Sequence, residues 1–310
     1  MLAAPIAAMA TEYMMYVAEH GKSYITAEEF EVRKALYIQT DAIIEAHNET
    51  ESSYKLGHNK FSDYTDAERA RLTGAMKDDY TGEFTVLPES NADSVDWRSA
   101  GAVTPVKDQG QCGSCWSFSA TGALEGAHFV AKGELLSFSE QQLVDCATSF
   151  PTKNYGCGGG WSYKGMKYWE TNNADLEADY QYTAKDGECQ QASYKATDVS
   201  VSDYAAVTRN DVAQMKAAVA QQPVSVSIEA DKAAFQQYQS GIFDNATGCG
   251  TSTDHATLVV GYGSENGQEY WIMKNSWGTV WGEEGYMRLA IVDGVGVCAI
   301  QSAPYWPTSN

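Results

Sequence analysis

The sequence predicts an α+β protein: a mostly helical N-terminal unit, followed by a second unit whose helical half precedes a sheet-rich half. Residues 11–80 are rich in Glu, Lys, Ala and Tyr and contain no Pro, as a helical segment would. Gly, Trp and Cys concentrate after residue 96, and no cysteine precedes residue 112. From Val224 onward, apolar and alternating runs of strand length recur. At roughly 150 residues per domain, 310 residues suggest about two folded units, and 44% apolar residues give them a substantial core.

The composition also excludes partners. With 41 acidic against 21 basic side chains, the net charge of −20 repels nucleic acid and anionic membrane surfaces. The longest apolar run, Leu2 to Ala10, is about half of what a helix needs to span a bilayer, so no membrane span is expected. Its end, Ala8-Met9-Ala10, has the small-x-small look of a signal-peptidase site, and the run reads as a signal remnant or a plain extension.

Taken in order, Glu29, Arg33, Tyr37, Thr40, Ile44 and Asn48 recur at helical steps, one stripe of an amphipathic helix in which Glu29 and Arg33 stand at ion-pair spacing. Residues 78–94 are polar and turn-rich and read as an exposed connector. Cys115 to about Val130 reads as a helix burying Phe118, Leu124 and Phe129, and Ser139 caps a second short helix through Asp145. Val224–Ile228, Leu258–Tyr262 and Tyr270–Lys274 read as strands.

Seven cysteines, at 112, 115, 146, 157, 189, 249 and 298, read as three disulfides and one free thiol, in any of fifteen pairings if six of them pair. Zinc is the competing reading of Cys112-x-x-Cys115, but no second pair at such spacing and no His-x-x-x-His follow. The sequons at Asn48 and Asn245 fit a secretory route.

The most informative string is Gln109-Gly110-Gln111-Cys112-Gly113-Ser114-Cys115-Trp116, which sets a thiol at a Gly-rich turn leading into a helix. A helix N-terminus lowers a thiol pKa and favours the reactive thiolate, whereas the bland alternative is a buried structural thiol. Of five histidines, His20, His47, His58 and His128 lie in charged or helical, surface-like sequence. His255 instead enters the apolar strand Ala256–Gly261, where a scaffold can aim its ring. Asn275, beside Trp277 at another strand end, offers an amide to orient that ring.

These motifs, with Asp96-Trp97-Arg98, residues 101–110, Ser139 to Cys146, Asp254-His255-Ala256 and Lys274 to Tyr286, resemble the papain family of cysteine proteases, in its cathepsin L-like proenzyme branch. The resemblance runs from about residue 12 to 305. It implies a two-lobed fold, a helical lobe and an antiparallel β-barrel-like lobe with the active-site cleft between them, preceded by a mostly helical inhibitory prodomain. Residues 1–90 would be extension and propeptide, and 91–310 the peptidase. Cys115 would be the nucleophile, His255 the general base and acid, Asn275 its orienter, and Gln109 an oxyanion donor together with the Cys115 amide. Trp277 would shield the His–Asn bond and line the leaving-group side. The family's disulfides map as Cys112–Cys157, Cys146–Cys189 and Cys249–Cys298, leaving Cys115 free, and no metal or other cofactor is implied.

For substrate, the resemblance implies backbone pairing at Gly159 and Gly160, with Gly158 where Asn is usual. Asp254 counts among the substrate-binding residues. The pocket for the second residue before the cleaved bond would be lined by Trp161, Ser162, Ser227, Ala256 and Ala303, without charge, and would prefer bulky apolar or aromatic side chains over Arg. The chain lacks the His-bearing insertion of cathepsin B-like relatives and a prosegment cysteine, so endopeptidase activity is expected. The stripe at 29–48, with Tyr37 and Thr40 replacing Phe and Asn, and the string from Gly57 to Asp63 match the two prosegment motifs. They imply an intramolecular inhibitor removed by cutting between about Leu87 and Asn91, on an acid trigger that protonates carboxylates including Asp63. Further implied are protein and peptide substrates, cystatin-like inhibitors as partners, a monomer, and a lysosomal, vacuolar or secreted location. Two other readings are a catalytically silent homologue acting as a binding protein and a metal-binding disulfide protein. The complete Gln, Cys, His and Asn set argues against silence.

Overall fold

Prolines and glycines are sparse before residue 50, and the chain opens on two helices, α1 (Ala3–Glu19) and α2 (Ala27–Asn48). The structure, a computed structural model, describes the backbone of residues 3–244 and 248–310. Asn245 lies outside the described residues. Thr26 caps α2 by accepting the Glu29 amide at 3.1 Å. The stripe faces inward as its period requires: Tyr37, Thr40 and Ile44 are buried, and Tyr13 and Tyr16 of α1 pack on Tyr37. Both departures from the prosegment pattern are accommodated. Tyr37 stacks on His58 at 4.1 Å, and the Thr40 hydroxyl donates to Ser62 O at 2.8 Å. Arg33 reaches Glu29 at 3.4 Å, but its closer partner is Glu68.

Helix does not continue to residue 80, as the composition suggests. After Asn48 the chain forms β1 (Tyr54–Leu56), one turn of helix, α3 (Asp66–Arg69), and then extended backbone. Tertiary pairing overrides propensity here, because β1 joins the sheet of the second unit. The Asn48 side chain fixes that junction, its amide nitrogen donating to Leu56 O at 2.8 Å and its oxygen accepting the Leu56 amide at 3.1 Å. The connector is also more structured than expected. Its residues are largely exposed, yet β2 (Phe84–Thr85) pairs in parallel beside a later strand, β4, and Gln214 brackets Leu87 with two hydrogen bonds.

The second unit begins with β3 (Val95–Asp96) and the helices α4 (Cys115–Lys132), α5 (Glu140–Cys146) and α6 (Ser162–Tyr168). Ser139 caps α5 as its sequence indicates, accepting the Gln142 amide at 3.0 Å. There follow β4 (Val201–Val207), α7 (Val212–Val219), β5 (Val224–Ile228), α8 (Ala233–Gln236), β6 (Tyr238–Phe243), β7 (His255–Glu265), β8 (Gln268–Lys274), β9 (Tyr286–Ala290) and β10 (Tyr305–Ser309). The sheet order is β1-β6-β9-β8-β7-β5-β10-β4-β2, with β3 paired to β7. All neighbouring pairs are antiparallel except β6–β9 and β2–β4. Both ends of this order, β1 and β2, come from the first 90 residues.

Besides the small Tyr13–Tyr16–Tyr37 cluster of α1 and α2, two larger cores form, one helical and one sheet-based. One gathers α4, α5 and α6 around Trp116, Leu124, Leu143, Met166 and Trp169. The other gathers sheet residues such as Val226, Phe235, Trp271 and Trp281, and admits Ile44, Tyr54, Leu56, Phe61 and Leu72 from the N-terminal unit. Phe118 and Leu124 are buried, whereas Phe129 is half-buried. The histidines expected at the surface are not all there: His128 is buried near Phe138, and His58 is held between Tyr37 and Asp41. No described helix is long and apolar enough to cross a membrane.

Candidate active site

Cys115 is the first residue of α4 and is fully buried. The turn before it is fixed by the Cys112–Cys157 disulfide and by the Gly113 amide, which donates to Cys157 O at 3.0 Å. A Cβ on Gly113 would lie 2.7 Å from that carbonyl, so glycine is what lets the turn close. Ser114 stands at the N-cap without capping, its hydroxyl bonded to Tyr182 instead.

Across the interface between the two cores, His255 opens β7. Its Nε2 lies 2.8 Å from Asn275 Oδ1, and the same oxygen accepts the Ser276 amide at 2.8 Å. An atom that accepts a backbone N–H must be the amide oxygen, so Nε2 carries the proton. The other nitrogen, Nδ1, is then a bare lone pair; it is buried and has no hydrogen-bond partner among the described residues. The Trp277 indole stacks on the imidazole with centroids 4.7 Å apart. Gln109 sits on the same side, its backbone N–H donating to Ser276 O at 2.8 Å while its side-chain Oε1 accepts the Ser276 hydroxyl at 2.6 Å.

The cleft is filled by the chain itself. The Gly74 and Ala75 amides donate to Asp254 O, each at 2.8 Å. Gly160 pairs in parallel with Ala75: its amide donates to Gly74 O at 2.8 Å and its carbonyl accepts the Met76 amide at 2.9 Å. The Leu72 carbonyl accepts two side-chain donors, Gln109 Nε2 and Trp277 Nε1, both at 3.1 Å. Burial under this segment dominates the electrostatics. It pushes the Cys115 thiol up to about 12, Asp254 adding to the effect and the amides of Ala256, Trp116 and Gly74 opposing it. It brings His255 down to about 4 against the hydrogen bond to Asn275. The lowered thiol expected of a helix N-terminus is therefore absent from the covered state, where lost hydration outweighs the nearby amides.

Residues 91–308 match the profile of the papain family cysteine protease domain. The chain belongs to the papain family of cysteine proteases. Residues 13–68 match the cathepsin propeptide inhibitor domain (I29), so this papain-family chain carries its prosegment. Cysteine proteinase RD21A of Arabidopsis thaliana is 41% identical over 310 residues, covering 96% of this chain. The chain spans 66% of that longer protein. Among solved structures, a recombinant stem bromelain precursor is 37% identical with a TM-score of 0.88, over 97% of this chain and 98% of that one. Digestive procathepsin L2 from Tenebrio molitor larval midgut is 35% identical with the same TM-score, over 97% and 99%.

The disulfides are those the family resemblance implies, Cys112–Cys157, Cys146–Cys189 and Cys249–Cys298, with Cys115 free. Gly160, Trp161, Ser162 and Ser227 line one pocket beside the Ala75 pairing. Ala256 pairs with Ser227 across β5 and β7, and Ala303 is buried in the helical-lobe core. Gly159 packs against Gly74, where a Cβ would lie 2.5 Å from Gly74 O.

The peptidase residues that line this pocket, Gly160, Trp161, Ser162, Tyr163, Ser227 and Tyr305, carry no formal charge, and its one acidic lining residue, Asp78, comes from the prosegment. Asp78 reaches the wall of this pocket, paired with Arg209 and accepting the Tyr305 hydroxyl at 2.7 Å. Sequence reasoning missed Tyr163, Tyr305 and Arg209 here, as well as Leu72 and Gly74, because no local motif marks them. It also missed the buried charges behind Asn275. There Lys107 contacts Glu125 and Glu140, and Lys274 donates to Thr104 O at 2.8 Å. Burial lowers Lys274 to about 8.

Proposed function

We propose that this chain is the zymogen of a cysteine endopeptidase whose nucleophile is Cys115. The observation that carries the reading is the His255 imidazole, protonated toward Asn275 and bare at Nδ1, in the same cleft as the Cys115 thiol at a helix N-terminus. Once the cleft is open to water, Nδ1 takes the thiol proton and a thiolate–imidazolium pair forms. The thiolate attacks the substrate carbonyl carbon, and Gln109 Nε2 and the Cys115 amide hold the oxyanion, each worth about 3 to 4 kcal/mol by analogy with measured oxyanion holes. His255 returns its proton to the leaving amine as the C–N bond breaks. Water, deprotonated by the same ring, then hydrolyses the thioester and frees Cys115. Asn275 orients the ring throughout, and Trp277 covers its bond to Asn275.

The prosegment's placement supports autoinhibition. It runs from Leu72, beside Trp277, to Met76, beside Gly160 and Trp161. A substrate with its second residue before the cleaved bond at Trp161 and its leaving group at Trp277 runs the opposite way. The prosegment thus blocks both halves of the cleft without offering a bond in cleavable order, and Leu72 O occupies the Gln109 donor. The pocket beside Gly160 favours bulky apolar side chains over Arg. Acid releases the plug, a cut between about Leu87 and Asn91 frees residues 91–310, and the enzyme works in an acidic lysosomal or vacuolar compartment or after secretion.

The test is incubation at acid pH with a thiol reductant, followed by labelling with an epoxide inhibitor and mass spectrometry of the adduct. The expected result is loss of about 90 residues and a single label on Cys115, with neither in a Cys115→Ala chain. A processed protein that leaves Cys115 unlabelled refutes the reading.

A further inference from the structure

The prosegment places two consecutive carboxylates at the edge of the pocket beside Gly160. Asp78 pairs with the Arg209 guanidinium through one oxygen and accepts the Tyr305 hydroxyl at 2.7 Å through the other. Asp79 repeats the arrangement with Lys164 Nζ at 2.8 Å and the Tyr163 hydroxyl. In each case a cation and a tyrosine from the peptidase side converge on one acidic side chain from the peptide in the cleft.

Arg209 is built for this role more than for a structural one. Among the described residues its Nε is buried without a hydrogen-bond partner and its ion pair is with Asp78. The aromatic cover over its guanidinium is Phe84, 4.7 Å away, which also precedes residue 91. Removing the prosegment therefore strips Arg209 of counter-charge and cover together, and leaves the Tyr305 hydroxyl, which accepts from Arg209 Nη2 at 3.4 Å, with its own proton unpaired at the pocket. A part-buried guanidinium in that state is satisfied best by another carboxylate, held in the forked geometry that suits it.

We propose that Arg209, with the Tyr305 hydroxyl, is a specificity determinant of the processed enzyme, recognising an acidic side chain, Glu or Asp, at the second residue before the cleaved bond. The inference rests on the endopeptidase reading and extends its substrate class. Bulky apolar side chains fill the pocket, acidic ones reach Arg209, and cationic ones are repelled by it.

The test is kcat/KM of the processed enzyme, at a pH of about 6, on four dipeptidyl aminocoumarins: Leu-Arg, Phe-Arg, Glu-Arg and Arg-Arg. Active sites are first titrated with the epoxide, so that failure of the catalytic reading registers as an absence of titratable Cys115 and not as altered selectivity. The expected result is Glu-Arg cleaved well above Arg-Arg. In Arg209→Gln the ratio of Glu-Arg to Leu-Arg falls about tenfold or more, as loss of a hydrogen bond to a charged group implies. Tyr305→Phe gives a smaller fall in the same ratio and serves if Arg209→Gln does not fold. Glu-Arg cleaved no better than Arg-Arg, or a Glu-to-Leu ratio unmoved by either substitution, overturns the proposal.

Discussion

Replacing Gly74 by alanine tests whether the zymogen is held shut through backbone rather than side chains. A Cβ on Gly74 would lie 2.0 Å from Gly113 O and 2.5 Å from Gly113 C, main-chain atoms at the turn that carries Cys115. Neither side can yield: the turn is clamped by Cys112–Cys157, and Gly74 is held by Asp254 and Gly160. The segment must lift, at the expense of its four main-chain hydrogen bonds, to Asp254 O twice and to Gly160 twice. At a net value of about 1 kcal/mol per bond, losing two to four of them weakens the plug by about 2 to 4 kcal/mol. That corresponds to about a 30- to 1,000-fold larger open fraction. The assay is the rate of Cys115 alkylation in the intact zymogen at neutral pH, with the chain checked for cleavage on a gel. If opening precedes alkylation, the rate rises by the same factor in Gly74→Ala. A rate within twofold of the parent would refute the reasoning, since it would mean the thiol is reached without displacing residues 74–76.

Three further outcomes are expected. The Glu68 carboxyl is raised by burial but lowered more by its bonds with Arg33 and Thr65, to about 2 from 4.5. Its stabilisation is therefore complete above about 4.5 and fades as pH falls through about 2, so thermal melts of an uncleavable Cys115→Ala zymogen should show Glu68→Gln destabilised near neutrality, the gap narrowing in acid. Asp63, 1% exposed and bonded to Tyr16, Lys22 and Tyr24, is the buried carboxylate of the prosegment motif. Asp63→Asn should process at higher pH than the parent in a gel-monitored pH series, and an unchanged midpoint would remove that carboxylate from the trigger. Gln109→Ala should lower kcat on Phe-Arg-aminocoumarin by about 10²- to 10³-fold after active-site titration, and a loss confined to KM would argue against an oxyanion role.

What the sequence made legible follows from how local each signal is. Gln109, Cys115, His255 and Asn275 each sit in a short string whose chemistry can be weighed in place. The inward stripe of α2 follows from a period that the helix must keep. The Ser139 cap was readable for the same reason, being settled within four residues. By contrast, Arg209 and Asp78 are 131 residues apart and meet only because an extended chain crosses the cleft. Leu72 and Gly74 act through main-chain atoms, which any residue possesses, and so leave no compositional mark. The stretch after Asn48 was misread because its residues favour helix while its partners are strands far along the chain. The raised thiol of the covered state is not legible for a related reason: the helix N-terminus is a local feature, whereas the burial that outweighs it involves residues remote in the chain, Gly74, Asp254 and Ala256 among them.

The sheet has both of its outer strands, β1 and β2, and five side chains of one core drawn from the first 90 residues. Cleavage then does more than uncover a thiol. Removal of residues 1–90 would leave the peptidase lobes with bare strand edges and a core missing Ile44, Tyr54, Leu56, Phe61 and Leu72, so residues 91–310 alone are expected to refold poorly once unfolded. On the proposed processing, maturation would act as a ratchet, with the lifetime of the processed enzyme set by how slowly it unfolds.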